Sequence, residues 1–164
     1  MPRGRADIAN TALRIFLQEL GAAYDQERGF PAYESRKHFA EVRGFFGDRC
    51  CYCGVALLPG RIAQDHLIPM NKASLGLHAW GNIVPACQDC NAKKHGREWH
   101  AYLVQRAGSE ASDRYERVTR FIDHYGYEPD PRDLRDVAEE LYAEVGTIAM
   151  SLIAMKVKRV SECL

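Results

Sequence analysis

"CCYCG", residues 50–54, carries three of the six cysteines in a chain of 164 residues, and "CQDCN", residues 87–91, carries two more. Cys50 with Cys53 and Cys87 with Cys90 repeat one C-x-x-C spacing, whereas Cys51 has no counterpart. A two-residue gap lets one tight turn aim both sulfurs at a single ion, and two such turns make a closed tetrahedral four-sulfur zinc site. Gly54 suits the first turn because it accepts positive φ without a Cβ penalty, and Asn91 is the next most tolerant residue type after the second pair. The rival readings are weaker. A thioredoxin-like redox centre uses one pair opening a helix in a βαβ pattern, and a disulfide framework belongs to small secreted proteins. Four thiolates around one zinc carry net charge −2, so the site is scaffolding and not a Lewis acid. Cys51 and Cys163 are left as buried thiols.

The composition fits that reading. With 46% hydrophobic and 27% charged residues, the chain can bury one respectable core with helical additions. "MPRGRADIANTALRIF" at the N-terminus has an acid early, Asp7, and lacks the apolar stretch of about 7–15 residues of a secretory signal. The longest apolar run, "VGTIAMSLIAM", falls short of the roughly 20 residues that a bilayer span requires. These features lead us to expect an intracellular, cytoplasmic protein without a membrane helix. Formal net charge is zero, which argues against a generic polyanion binder. Between Ser35 and Arg106, however, ten basic side chains face five acidic ones, and beyond Arg106 eight basic face twelve acidic. A basic centre with an acidic tail fits an anionic ligand held at the centre.

Periodicity predicts a helix from about Asp7 to Leu20, stopped by Gly21, and a second from about Arg36 to Phe46, with Phe39, Val42, Phe45 and Phe46 inward. "RIAQDHLIP" and "NIVPAC" read as short strands. A helix is expected from about Gln88 to Gln105, and two more near Asp113–Tyr125 and Asp133–Arg159, separated by "GYEPDP". Leu134, Val137, Leu141, Val145 and Ile148 offer a helix face for core packing or a homodimer through the C-terminal helices. The two cysteine pairs are 33 residues apart, Gly54 to Ala86, more than the roughly 15–20 of a simple zinc ribbon. Something else sits inside the loop, and within it Asp65 and His66 are adjacent on the first strand.

Taken together, "CCYCG", "QDHLIP", "GNIVPACQDCN" and "KK" resemble the HNH, or His-Me finger, endonucleases, in the branch braced by a four-cysteine zinc. The likeness covers about residues 36–105. It implies an α+β fold, a small ββα-metal core with a structural zinc flanked by N-terminal and C-terminal helices. The corresponding division is 1–35 as an N-terminal helical extension, 36–105 as the nuclease core and 106–164 as a C-terminal helical region. The resemblance implies that His66 is the general base, that Asp65 and Asn91 hold a catalytic magnesium or manganese, and that Asn82 ties the loop so that His66 is aimed correctly. It further implies a metal-dependent endonuclease acting on DNA, with RNA left open, that leaves 5′-phosphate and 3′-hydroxyl ends. The loop "NKASLGLHAWG" departs from the family's usual glycine-rich form. The alternative is a zinc-stabilised nucleic-acid-binding module without catalysis, which would have no use for Asp65, His66 and Asn91 together.

The residue types suit the chemistry on their own terms. Phosphodiester hydrolysis needs a water deprotonated, and imidazole, with an ordinary pKa of about 6.5, is matched to that task near neutrality. A hard divalent cation on oxygen ligands offsets the charge gathering on phosphate and leaving oxygen. Neighbouring strand residues point to opposite faces, so Asp65 and His66 imply a strand end or bulge, which Pro69 would help to terminate. On the following helix His95 is a candidate auxiliary ligand or phosphate contact, and Lys93, Lys94 and Arg97 are candidate nucleic-acid contacts. His38, His78, His100 and His124 read as structural, although His78 sits on the loop expected to touch DNA. Trp80 and Trp99 read as core.

Overall fold

The computed structural model describes residues 4–129 and 131–161. Helix α1 (Arg5–Glu27) repeats a buried residue every fourth position, at Ala9, Leu13, Leu17, Gly21 and Asp25, which draws one stripe down its face. The predicted stop at Gly21 does not occur, because what glycine provides there is proximity: a Cβ would lie 2.5 Å from the carbonyl oxygen of His78. The helix runs on to Asp25, whose buried carboxylate accepts from the backbone N–H groups of Tyr33 (3.0 Å) and Trp80 (3.1 Å) and from Arg28 (2.7 Å). Burial raises the Asp25 carboxyl above its ordinary pKa, against the lowering effect of these donors.

Helix α2 (Ser35–Phe45) buries Val42, with Phe46 just beyond it and Phe39 half-covered. Phe45 remains partly exposed but packs edge-on against Phe121. Strands β1 (Ile62–His66) and β2 (Ile83–Cys87) pair antiparallel, with Asp65 opposite Val84 and His66 opposite Ile83. β1 ends at His66 as expected, three residues before Pro69. The single helix expected from Gln88 is two, α3 (Gln88–Lys94) and α4 (Trp99–Ala107), because His95 turns the chain through a left-handed φ of 48°. A 3₁₀ turn (Gly108–Glu110) leads to α5 (Ala111–Tyr125), and α6 (Pro131–Ser161) closes the described chain.

Two apolar clusters result. One gathers Val42, Phe46, Tyr52, Leu67, Trp80, Val84, Leu103, Val118 and Phe121 around the sheet and the cysteines. The other joins Leu13 and Leu17 of α1 to Leu75, Leu77, Tyr127 and Ala138. Trp80 is core, as expected, and donates its indole N–H to Pro31 O (2.9 Å), while half-buried Trp99 stacks on Tyr115. Helix α6 lies along α1, with Arg5 donating to Ala143 O (3.3 Å). Of the predicted α6 face, Leu134 joins the second cluster, whereas Val137 and Ile148 are exposed. No helix among the described residues is long and apolar enough to cross a membrane. Cys163 lies outside the described residues.

Candidate functional site

The cysteine turn forms first from local bonds. Gly54, at φ +70°, donates its N–H to Cys50 O (2.8 Å), the turn that glycine was expected to permit. Cys51 leaves the cluster and donates its N–H to Pro85 O (2.9 Å), stitching the turn to β2. On the other side Cys87 is the N-cap of α3, its sulfur accepting from the Cys90 N–H (3.4 Å). Asn91 therefore has helical backbone, and the turn tolerance expected of it is not used. The sulfurs of Cys50, Cys53, Cys87 and Cys90 all lie within 4.8 Å of one another, with Cys53 and Cys87 3.8 Å apart. A tetrahedral ion with metal–sulfur bonds of about 2.3 Å sets its sulfurs about 3.8 Å apart. The four residues therefore fit a bound metal. The Cys90 thiol is held down to about 4, first by the hydrogen bond from Cys50 and then by Arg106, whose Nε lies 3.3 Å from its sulfur.

At the end of β1, side-chain alternation sends Asp65 inward and His66 toward the loop that joins the strands. Asp65 is 7% exposed; its Oδ2 accepts from the Tyr52 hydroxyl (2.6 Å) and lies 3.1 Å from Lys94 Nζ. Burial raises the Asp65 carboxyl, against the pull of Lys94 and Tyr52. Lys94 also donates to His66 O (2.7 Å), and its side chain is fully enclosed. It thus differs from the surface contact expected for it: a buried ammonium must be paired, and Asp65 is its partner. Lys93 and Arg97 do lie at the surface, with Lys93 paired to Asp89 and Arg97 bonded to Gln105 and Lys93 O.

His66 Nε2 lies 3.0 Å from His78 Nδ1. The His66 pKa is lowered to about 3, chiefly by burial and then by His78, Lys94 and Arg14. The imidazole is consequently neutral at physiological pH. His78 is lowered too, by burial, and its backbone N–H reaches Leu17 O of α1 (3.4 Å). Fully buried Asn82 accepts from the Ile68 N–H (2.8 Å) and donates to Ile68 O (3.0 Å) and Leu77 O (2.7 Å), so its amide closes the interstrand loop at both ends.

A hollow of about 260 Å³ brings Asp65 and His66 together with Asn71 and His95. Asn91 is half-buried on α3 and is not among the residues that line it. His38, His100 and His124 lie apart from the hollow, in aromatic contacts with Trp80, Tyr115 and Phe45. Three groups at the site escaped the sequence reading in these roles. Tyr52 sits between two cysteines, where only the folded turn brings it to Asp65. Lys94 follows the last cysteine by four residues, one helical turn, which was a legible signal for burial beside the cluster. His78 precedes Asn82 by four residues and was visible only as a loop histidine.

Residues 50–97 match the HNH endonuclease family model. Over 91 residues the chain is 21% identical to the SPbeta prophage-derived protein YoqL of Bacillus subtilis (strain 168), whose name assigns it to the HNH endonucleases. That stretch is 52% of this chain but 40% of the relative, so the match spans less than half of that protein. The cysteine cluster fits the zinc-braced branch of the family, and residues 50–97 are an HNH endonuclease domain.

Proposed function

We propose that the protein is a metal-dependent DNA endonuclease in which His66 takes the proton from the attacking water. The observation that carries this reading is a neutral imidazole at the end of β1, bordering the same hollow as the Asp65 carboxylate, inside the matched residues. In neutral imidazole one ring nitrogen donates and the other accepts. If His66 donates through Nε2 to His78 Nδ1, its own Nδ1 keeps a lone pair for water, and the bond to His78 fixes that tautomer. His78 is thus a positioning residue. As the water oxygen bonds to phosphorus, the P–O3′ bond breaks and the water proton goes to His66; the departing O3′ takes a proton from solvent, and the products are a 5′-phosphate and a 3′-hydroxyl.

Asp65 and Asn91 would hold a magnesium or manganese ion, with His95 as an auxiliary ligand. The Tyr52 and Lys94 contacts to Asp65 both fall on Oδ2. When bound, such an ion neutralises charge on the phosphate and on the leaving oxygen. Asn82 holds the loop that carries His78, while Lys93 and Arg97 would contact the nucleic-acid backbone. Cys50, Cys53, Cys87 and Cys90 would hold zinc as a brace. In this reading residues 36–105 form the nuclease, flanked by 1–35 and 106–164. The test is nicking of supercoiled plasmid with magnesium or manganese, with end mapping and zinc quantification. Wild type should nick and His66→Ala should not; equal inertness of both, with zinc retained, removes the enzyme reading.

A further inference from the structure

His66 lines two hollows, and the residues common to both are His66, Met70 and Arg14. Arg14 comes from α1, outside the residues matched to the family. The second hollow, about 480 Å³, is walled on that side by Thr11, Arg14, Ile15 and Gln18, positions three to four apart that share one helix face. Arg14 is exposed and, among the described residues, its guanidinium makes no ion pair or hydrogen bond. It is nonetheless close enough to His66 for its charge to be felt there. An unpaired guanidinium beside a catalytic imidazole is a strong anion donor, because its planar fork matches two phosphate oxygens at once.

We propose that α1 completes the active site, with Arg14 gripping the phosphate of the nucleic-acid strand that passes His66 from one hollow to the other. The inference rests on the nuclease reading for the identity of the ligand, but its residues and surface are its own. Rigidity supports it. Asp25 ties the far end of α1 to Tyr33 and Trp80, Gly21 lets His78 approach, and α6 backs the helix. The α1 backbone that carries Arg14 is therefore held in register with His66 before any ligand arrives, which leaves only the side chain to be ordered on contact. Gln18 supplies a neutral donor and acceptor along the same wall, and Thr11, whose hydroxyl donates to Asp7 O (2.8 Å), supplies an acceptor. Ile15 with Met70 offers apolar surface to a sugar or base.

The experiment uses the full chain and a short fluorescein-labelled DNA duplex. Affinity is measured against salt in the His66→Ala background with no divalent metal added, and cleavage is measured in the otherwise wild-type protein with magnesium. Arg14→Gln is expected to reduce the slope of log affinity against log salt by about one and to lower kcat/KM roughly 10- to 100-fold. Arg14→Lys should restore the slope but not the full rate. Because Arg14 is exposed, both variants should melt like wild type. If Arg14→Gln changes neither slope nor kcat/KM while wild type cleaves and His66→Ala does not, the Arg14 inference falls and the nuclease reading stands. If wild type does not cleave but Arg14→Gln still reduces the salt slope, the nuclease reading falls and Arg14 remains a phosphate contact.

Discussion

His66 Nε2 and His78 Nδ1 meet at 3.0 Å, and the second histidine reaches that position because α1 accepts its backbone N–H at Leu17 O. Only one proton can lie between two neutral imidazoles. Its position decides whether His66 presents a lone pair or an N–H to the hollow. His78→Ala should therefore lower kcat by about 10- to 100-fold with little change in KM. His78→Gln, whose side-chain oxygen can still accept from His66, should recover part of the rate. A loss confined to KM in steady-state cleavage assays would exclude the positioning role.

Lys94 and Asp65 neutralise one another inside the protein. Removing one member of a buried pair strands the other charge, at a cost of about 3 kcal/mol. Lys94→Met should lower unfolding free energy by about that amount in urea titrations. Tyr52→Phe, which removes one hydrogen bond to Asp65 Oδ2, should cost about 1–2 kcal/mol.

The four-cysteine cluster should control folding as well as metal content. Cys53→Ser or prolonged chelation is expected to release zinc and abolish the cooperative thermal transition, since metal-binding energy at such sites is folding energy. Cys51→Ala should keep stoichiometric zinc by elemental analysis, because Cys51 is outside the cluster.

Asp25 accepts from three donors, the Trp80 N–H on the segment that carries His78, the Tyr33 N–H and Arg28 at the end of α1 itself. Asp25→Ala leaves two backbone N–H groups and Arg28 without that acceptor and should cost about 3–5 kcal/mol. Hydrogen exchange at Tyr33 and Trp80 should accelerate more than at Val84, which lies in the sheet.

The His66 imidazole is lowered to about 3 in the folded protein, against an ordinary value of about 6.5. Between those values the unfolded chain binds the extra proton and the folded one does not. The stability this group contributes is therefore complete above about pH 6.5 and is lost progressively as pH falls toward 3. Melting temperatures of wild type should drop more steeply from pH 7.5 to pH 5 than those of His66→Gln. Parallel profiles would show that His66 does not titrate differently on folding.

The brace and the strand pair were legible in the sequence because their determinants are local. Cys50 and Cys53 are set by one turn, Cys87 and Cys90 by one helix start, and Asp65 and His66 by neighbouring positions on one strand. Helix boundaries were less legible where tertiary contacts override propensity. Gly21 ends no helix because the His78 backbone presses against it, and α3 ends at Lys94 because His95 takes a left-handed turn. Lys94 looked like a surface cation, since sequence records charge but not which face of a short helix turns inward.

The sequence by itself determined the cysteine pairing, the two short strands and the Asp-His dipeptide, all products of spacing and backbone chemistry over a few residues. Only the tertiary structure decided that Tyr52 and Lys94 converge on Asp65, that His78 meets His66 and that Arg14 overlooks the same hollows. Those partners lie 12 to 52 residues apart along the chain. Their meeting depends on how α1, held by Asp25 and α6, is laid against the loop between the strands.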